Sequence, residues 1–218
     1  MKKLLAVLMA AAIALPLVSC GILSGLKELG DTLDGIGGDG NFKYDQEYIS
    51  KNLGDYWMVC KVTTYSEGKT TTGVVEQIRT DAGYFIKHDE SDEGSLFIRK
   101  GEEYEIYTLG DGGVYEGTGA MLPAETIDSY AMGAMYYLSF ATTMAGIGKE
   151  SGTKTVAGRG CDVFTVNLVV YKQSIAVDKA TGVCLESISE WSAGGKKEGV
   201  DFVCTKFETS GVKLPNYK

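Results

Sequence analysis

From Trp57 onward the chain is cut into short runs of Val, Ile, Tyr, Phe and Thr, with a Gly- or Asp-containing break roughly every ten residues. The runs are Trp57–Tyr65, Thr70–Thr80, Tyr84–His88, Leu96–Lys100, Tyr104–Leu109 and Val114–Glu116. Breaks of this kind turn a chain back on itself, so the spacing predicts an antiparallel meander. Alternation at Tyr84/Ile86, Leu96/Ile98 and Tyr104/Ile106 predicts a sheet with one apolar face and one partly wet face. After Gly158-Arg159-Gly160 the strands resume. Cys161–Tyr171 and Ser174–Asp178 read as one hairpin, and Asp178–Gly182 as a turn. Val183–Trp191 and Glu198–Glu208 read as a second hairpin, turning near Gly194. The expected total is about ten strands.

Between these blocks the period changes. Pro123 stands where a first helical turn tolerates it. Ile127, Ala131, Ala134, Leu138, Ala141 and Ala145 then recur at helical spacing, and Met132, Met135, Tyr136, Phe140 and Met144 widen the apolar stripe. This predicts one long helix ending near Ile147. A shorter one is expected over Asp45–Asn52, before Gly54. With no internal repeat and no shift in composition, residues 43–218 read as a single domain, mainly β with helices (α+β).

The N-terminus reads as an address. Lys2 and Lys3 precede an apolar run from Leu4 to Leu17, which ends in Leu17-Val18-Ser19-Cys20-Gly21. The run is shorter than the roughly 20 residues that span a bilayer, and its order of charge, apolar stretch and small residue is that of an export signal. Leu-x-Ser-Cys resembles the bacterial lipobox, which predicts cleavage after residue 19 and acylation of Cys20. The mature protein would then be lipid-anchored to a membrane of the bacterial envelope, two or three acyl chains being a stable anchor. Residues 20–42 are Gly-rich and read as a tether, although Ile22, Leu26, Leu29, Leu33 and Ile36 would also suit a short amphipathic helix.

Composition excludes several functions. A net charge of −8 and 21 Lys+Arg against 29 Asp+Glu argue against a nucleic-acid partner. One histidine, His88, rules out a His₂ metal site, and no metal or other cofactor is expected. Gly68-Lys69-Thr70 lacks the upstream glycine of a phosphate loop. The acidic stretch around His88 lacks calcium-loop spacing. Nothing separates Glu76, Glu102 and Glu103 from surface charge, so the chain is expected not to be an enzyme.

Cys60, Cys161, Cys184 and Cys204 remain after the anchor, an even number in an exported chain. Hairpin arithmetic puts position 161 opposite about 182, close to Cys184, and Cys184 opposite about 205, close to Cys204. Cys60 and Cys204 belong to the first and last strands. The expected bridge is Cys161–Cys184, with Cys60–Cys204 left open, and with four thiols the alternative in a cell living without oxygen.

The order of strands, apolar helix and strands, the segment Gly158-Arg159-Gly160-Cys161-Asp162-Val163-Phe164, the turn and strand Asp178-Lys179-Ala180-Thr181-Gly182-Val183-Cys184-Leu185, and the terminal Val212-Lys213-Leu214-Pro215 together resemble the LolA/LolB-like superfamily of outer-membrane lipoprotein carriers and receptors. The resemblance covers about residues 57–215. It implies an open antiparallel half barrel with a long helix covering its concave face, and a cavity between them that holds acyl chains. No counterpart of the carrier's gating arginine or of the receptor's protruding apolar loop stands in this sequence. On such a layout the cavity would be lined by Trp57, Ile78, Tyr84, Ile86, Ile98, Tyr104 and Ile106 of the sheet and by Met132, Met135, Phe140 and Met144 of the helix. The expected protein is a monomer that binds a lipid or another apolar or amphiphilic small molecule. The alternative is an envelope interaction module that binds a polypeptide or glycan and has no lipid cavity.

Overall fold

The computed structural model describes residues 42–66, 68–88, 94–127, 145, 148–167, 171–193 and 196–218. All belong to the compact unit Asn41–Lys218. A short helix, α1 (Gln46–Asn52), comes first. Eleven strands follow: β1 (Tyr56–Ser66), β2 (Lys69–Thr80), β3 (Gly83–His88), β4 (Ser95–Lys100), β5 (Glu103–Leu109), β6 (Tyr115–Pro123), β7 (Lys149–Val156), β8 (Arg159–Asn167), β9 (Tyr171–Asp178), β10 (Cys184–Ala193) and β11 (Lys196–Glu208).

They form one open sheet in the order β6-β5-β4-β3-β2-β1-β11-β10-β9-β8-β7. Two antiparallel meanders, β1–β6 and β7–β11, are thus joined where the first strand pairs with the last. The register defines two faces. The first carries Tyr56, Met58 and Cys60 of β1, and the second carries Trp57, Val59 and Lys61, because successive side chains in a strand point to opposite sides.

Both faces are covered in part. On the first face of the β8–β11 half, α1 contributes Ile49 and, beside it, Tyr44 and Leu53 to a core with Phe164, Val166, Ile175, Leu185, Phe202 and Phe207. Asp45 caps the helix by accepting a hydrogen bond from the Tyr48 amide. Gly182 lets it dock on the β9–β10 turn. The backbone there has φ +77°, and a Cβ would stand 2.9 Å from the Tyr48 ring and 3.0 Å from Ile49. On the second face of the other half, Val212 and Leu214 of the C-terminal tail pack against Ile78, Phe85, Leu96, Ile98, Tyr107 and Tyr115. The tail is held to the start of β6: the Tyr115 amide donates to the Asn216 carbonyl and the Lys218 amide to the Tyr115 carbonyl, at 2.9 and 3.0 Å.

The structure refines or corrects the sequence reading in three places. The described residues form eleven strands, against the expected total of about ten. The extra one, β7, is Lys-Glu-Ser-Gly-Thr-Lys-Thr-Val, exposed throughout except Val156, and an edge strand this polar has no alternation to reveal it. Pro123 also ends β6, opposite Glu103, and the helical residues follow directly from Ala124; an edge strand tolerates the proline because no neighbour needs its missing N–H. Residues 124–127 and Ala145 are helical, but the rest of the expected long helix, with Met132, Met135, Phe140 and Met144, lies outside the described residues.

The third correction concerns the cysteines. Cys60, Cys161, Cys184 and Cys204 are all buried free thiols, and the expected Cys161–Cys184 bridge is not formed. Cys161 is opposite Asp178, not position 182, and Cys184 lies beyond the turn on β10, opposite Val177. The two therefore flank β9. Strands are about 4.8 Å apart, so next-but-one neighbours exceed the roughly 7 Å that a bridge allows between Cα atoms.

Candidate binding face

The first face of the β1–β6 half gathers Tyr84 and Ile86 of β3, Phe97 of β4, Tyr104 and Ile106 of β5 and Leu122 of β6. Phe97, Tyr104 and Ile127 form its buried centre, with Ala124 packed against it. Register puts them on one side: Tyr84 opposite Phe97, Phe97 opposite Ile106, Tyr104 opposite Leu122. The Tyr84 and Tyr104 rings are 5.6 Å apart. Gln77, fully buried, stands between Met58 and Ile86 on the same face. The apolar surface therefore continues from β6 through the central strands to the core beneath α1.

A polar group is set into that surface on the far side. Gln173 of β9 is opposite Ser189 and two residues from Ile175, which is opposite Ser187. Gln173 and Ser187 are both buried, and the Gln173 amide donates to Ser187 Oγ at 2.8 Å. Its carbonyl oxygen, also buried, has no hydrogen-bond partner among the described residues. A buried acceptor left unmatched costs about 1–3 kcal/mol and calls for a reason. Tyr171, on the same strand and face, has its phenol pushed up to about 12 by burial, against a hydrogen bond with Ser189.

The strand residues expected to line a cavity do not share a face. Tyr84, Ile86, Tyr104 and Ile106 lie together on the first. Trp57, Ile78 and Ile98 lie on the second, with the cluster under the C-terminal tail. Trp57 is spoken for there: its indole donates to Glu76 at 2.9 Å, and the Lys206 ammonium sits 3.1 Å from its ring centre. Sequence reading missed Phe97, Gln77, Gln173 and Ser187. For Phe97 a signal existed, since Leu96-Phe97-Ile98 is apolar at three consecutive positions, as a strand buried on both sides must be.

The motifs that carried the family resemblance turn out to be architecture. Asp178, 2% exposed, accepts from Arg159 Nε and Nη2 at 3.2 and 2.8 Å and from the Thr181 amide and hydroxyl at 3.1 and 2.7 Å. One carboxylate thus ties the start of β8 to the β9–β10 turn. Asp162 does the same for the N-terminal segment. It accepts from the Tyr44 hydroxyl and pairs with Lys179 at 2.8 Å and Lys43 at 3.3 Å. Burial raises the Asp162 pKa, but the hydrogen bonds from Lys179, Tyr44 and Lys43 together outweigh it and hold the carboxyl below its usual value.

A pH dependence follows. The folded state keeps Asp162 ionised to lower pH than the unfolded chain does, so its stabilisation is complete above the unfolded pKa of about 3.9 and is lost as pH falls through the folded value. Urea midpoints measured from about pH 6 down to about pH 3 should fall more steeply for the native chain than for Asp162→Asn. Parallel slopes would show that the Tyr44–Asp162 cluster does not stabilise the docked N-terminal segment.

No known family's sequence profile matches the chain, and no curated protein matches it. Solved structures do. It is similar to the Pseudomonas aeruginosa MucA/MucB complex, at 13% identity and TM-score 0.41 over 79% of this chain and 58% of that one. LolA-superfamily proteins are among the similar structures. One is from Nitrosomonas europaea, with 7% identity and TM-score 0.30 over 78% of this chain and 94% of that one. A lipoprotein-sorting protein domain from Vibrio parahaemolyticus, described as putative and outer-membrane, has 10% identity and TM-score 0.28 over 79% and 93%. The chain spans 55–62% of the MucB-containing structures it matches. All these likenesses are remote. Among the described residues no helix is long and apolar enough to cross a membrane.

Proposed function

We propose that this protein is a lipid-anchored envelope protein that holds an amphiphilic ligand, such as an acyl chain with a polar end, against the first face of its sheet, and that it catalyses no reaction. The observation that carries this reading is the buried Gln173 carbonyl within a continuous apolar face. An acyl chain would lie along Phe97, Ile106 and Met58, where burial contributes about 25 cal/mol per Å² of apolar area. A hydroxyl or amide at its polar end would donate to Gln173 and remove the cost of the unmatched acceptor. The anchor is Cys20, as the lipobox-like sequence indicates. LolA-superfamily and lipoprotein-sorting proteins stand among the similar structures, which agrees with this reading without carrying it.

A monoacylglycerol with a fluorescent acyl chain tests it on residues 41–218. Binding is expected, and Gln173→Leu/Ser187→Ala should weaken it about tenfold, the worth of one buried hydrogen bond. Because both partners of the polar pair become apolar together, the fold should lose little stability or gain some. If the probe does not bind, or binds the double variant equally well, the amphiphile reading fails.

One observation favours a second reading. The second face of β1, β11, β10 and β8 carries half-exposed Val59, Val203, Ile188 and Val163 beside the Lys154–Glu186 ion pair. A mixed surface of this kind suits a polypeptide partner, and one similar structure was solved as a complex of two proteins. Loss of binding to envelope polypeptides on Ile188→Glu, with lipid binding unchanged, would support that role.

A further inference from the structure

We infer that Cys60 and Cys204 are a disulfide site, and that the bridge between them locks the two meanders together in the exported protein. Cys60 on β1 stands directly opposite Cys204 on β11. Directly opposed residues of an antiparallel pair have Cα atoms about 4.5 or 5.5 Å apart, inside the range of about 4.4–6.8 Å that a disulfide spans. Their side chains lie on the same face and are 0% and 2% exposed. Neither of the other two cysteines among the described residues stands in register with a cysteine: Cys161 faces Asp178 and Lys154, and Cys184 faces Val177.

Position gives the pair its consequence. The β1–β11 pairing is the seam between β1–β6 and β7–β11. A bond there closes a loop of 204 − 60 = 144 residues between the first strand and the last. Constraining so long a loop acts mainly on the unfolded chain and shifts the unfolding equilibrium on the order of a thousandfold.

The chemistry balances with a disulfide oxidant, either an envelope thiol oxidoreductase in its disulfide form or oxidised glutathione in a tube. One protein thiolate attacks the oxidant's S–S bond to give a mixed disulfide, and the second thiolate displaces the oxidant's remaining sulfur. The protein loses two protons and two electrons, and the oxidant gains them as two thiols. Burial raises the Cys204 thiol well above its ordinary value and keeps it protonated, so exchange is slow once the strands have closed. The bridge is therefore set as β11 docks on β1, and a reductant reaches it only after unfolding.

The test uses the full-length chain purified from the envelope of a host with an oxidising export compartment. It is unfolded in the presence of an alkylating reagent, digested without reduction and mapped. The expected result is a cross-linked peptide pair containing Cys60 and Cys204, with Cys161 and Cys184 alkylated as thiols. Dithiothreitol should lower the urea midpoint of the native chain and leave that of Cys60→Ser/Cys204→Ser unchanged. Full alkylation of Cys60 and Cys204 overturns the inference, and so does Cys204 joined to Cys184. If the double serine variant does not fold, Cys60→Ala/Cys204→Val replaces it, and the map of the native chain decides by itself. The inference does not rest on ligand binding, so its failure leaves the proposed function standing.

Discussion

Replacing Asp178 by Ala should cost the fold about 3–5 kcal/mol, the range for removing one partner of a buried ion pair. Asp178 is 2% exposed and is the only acceptor among the described residues that the structure gives the Arg159 side chain. Without it the guanidinium, itself three-quarters buried, is left beside Phe207 with its charge unmatched. The same change removes the hydrogen bonds that shape residues 178–182, the turn on which α1 docks. Asp178→Asn should cost less, since an amide oxygen can still accept from Thr181. Urea denaturation checks both. A loss below about 1 kcal/mol for the alanine variant would place this carboxylate with ordinary surface pairs.

Leu96→Ala should cost about 3 kcal/mol. Leu96 is 0% exposed and lies in the cluster under the C-terminal tail, on the face opposite Phe97. Removing its methyl groups leaves a cavity in a sheet face that other strands and the tail close from both sides. A chain ending at Glu208 lacks Val212 and Leu214, and there water enters the site. The Leu96→Ala cost should then shrink, giving a coupling of about 1 kcal/mol in a double-mutant cycle. Independent, additive costs would show that the tail does not cover Leu96. Binding of the amphiphile should be unaffected, because Leu96 is on the other side of the sheet.

Most strands were legible because their chemistry is local. Gly101 and Gly110–Gly113 break the chain at turns, and β1 to β5 begin and end within a residue of where Gly, Asp and β-branched residues place them. The N-cap Asp45 marked α1 in the same way. Faces were less legible. Tyr84/Ile86 and Leu96/Ile98 both alternate, yet register puts them on opposite sides, and register depends on pairings the sequence does not spell out. The cysteine error has the same root: a turn placed two residues late moved the partner of Cys161 from Asp178 to position 182 and so past a whole strand. For the candidate site, Tyr84, Ile86, Tyr104 and Ile106 were readable as apolar strand positions. Gln173 and Ser187 were not, because a polar residue in a strand normally means the wet face.

The central claim, that the apolar first face holds an amphiphile, is tested most directly by native mass spectrometry. The chain would be purified from envelope membranes in a detergent that is removed in the gas phase. The spectrum should show, beyond the mass of the acylated chain, a further non-covalent mass of a lipid or fatty acid, one per chain. Organic extraction should remove it, and Gln173→Leu/Ser187→Ala should reduce its occupancy. Only the mass of the acylated chain, unchanged by added monoacylglycerol, would contradict the account.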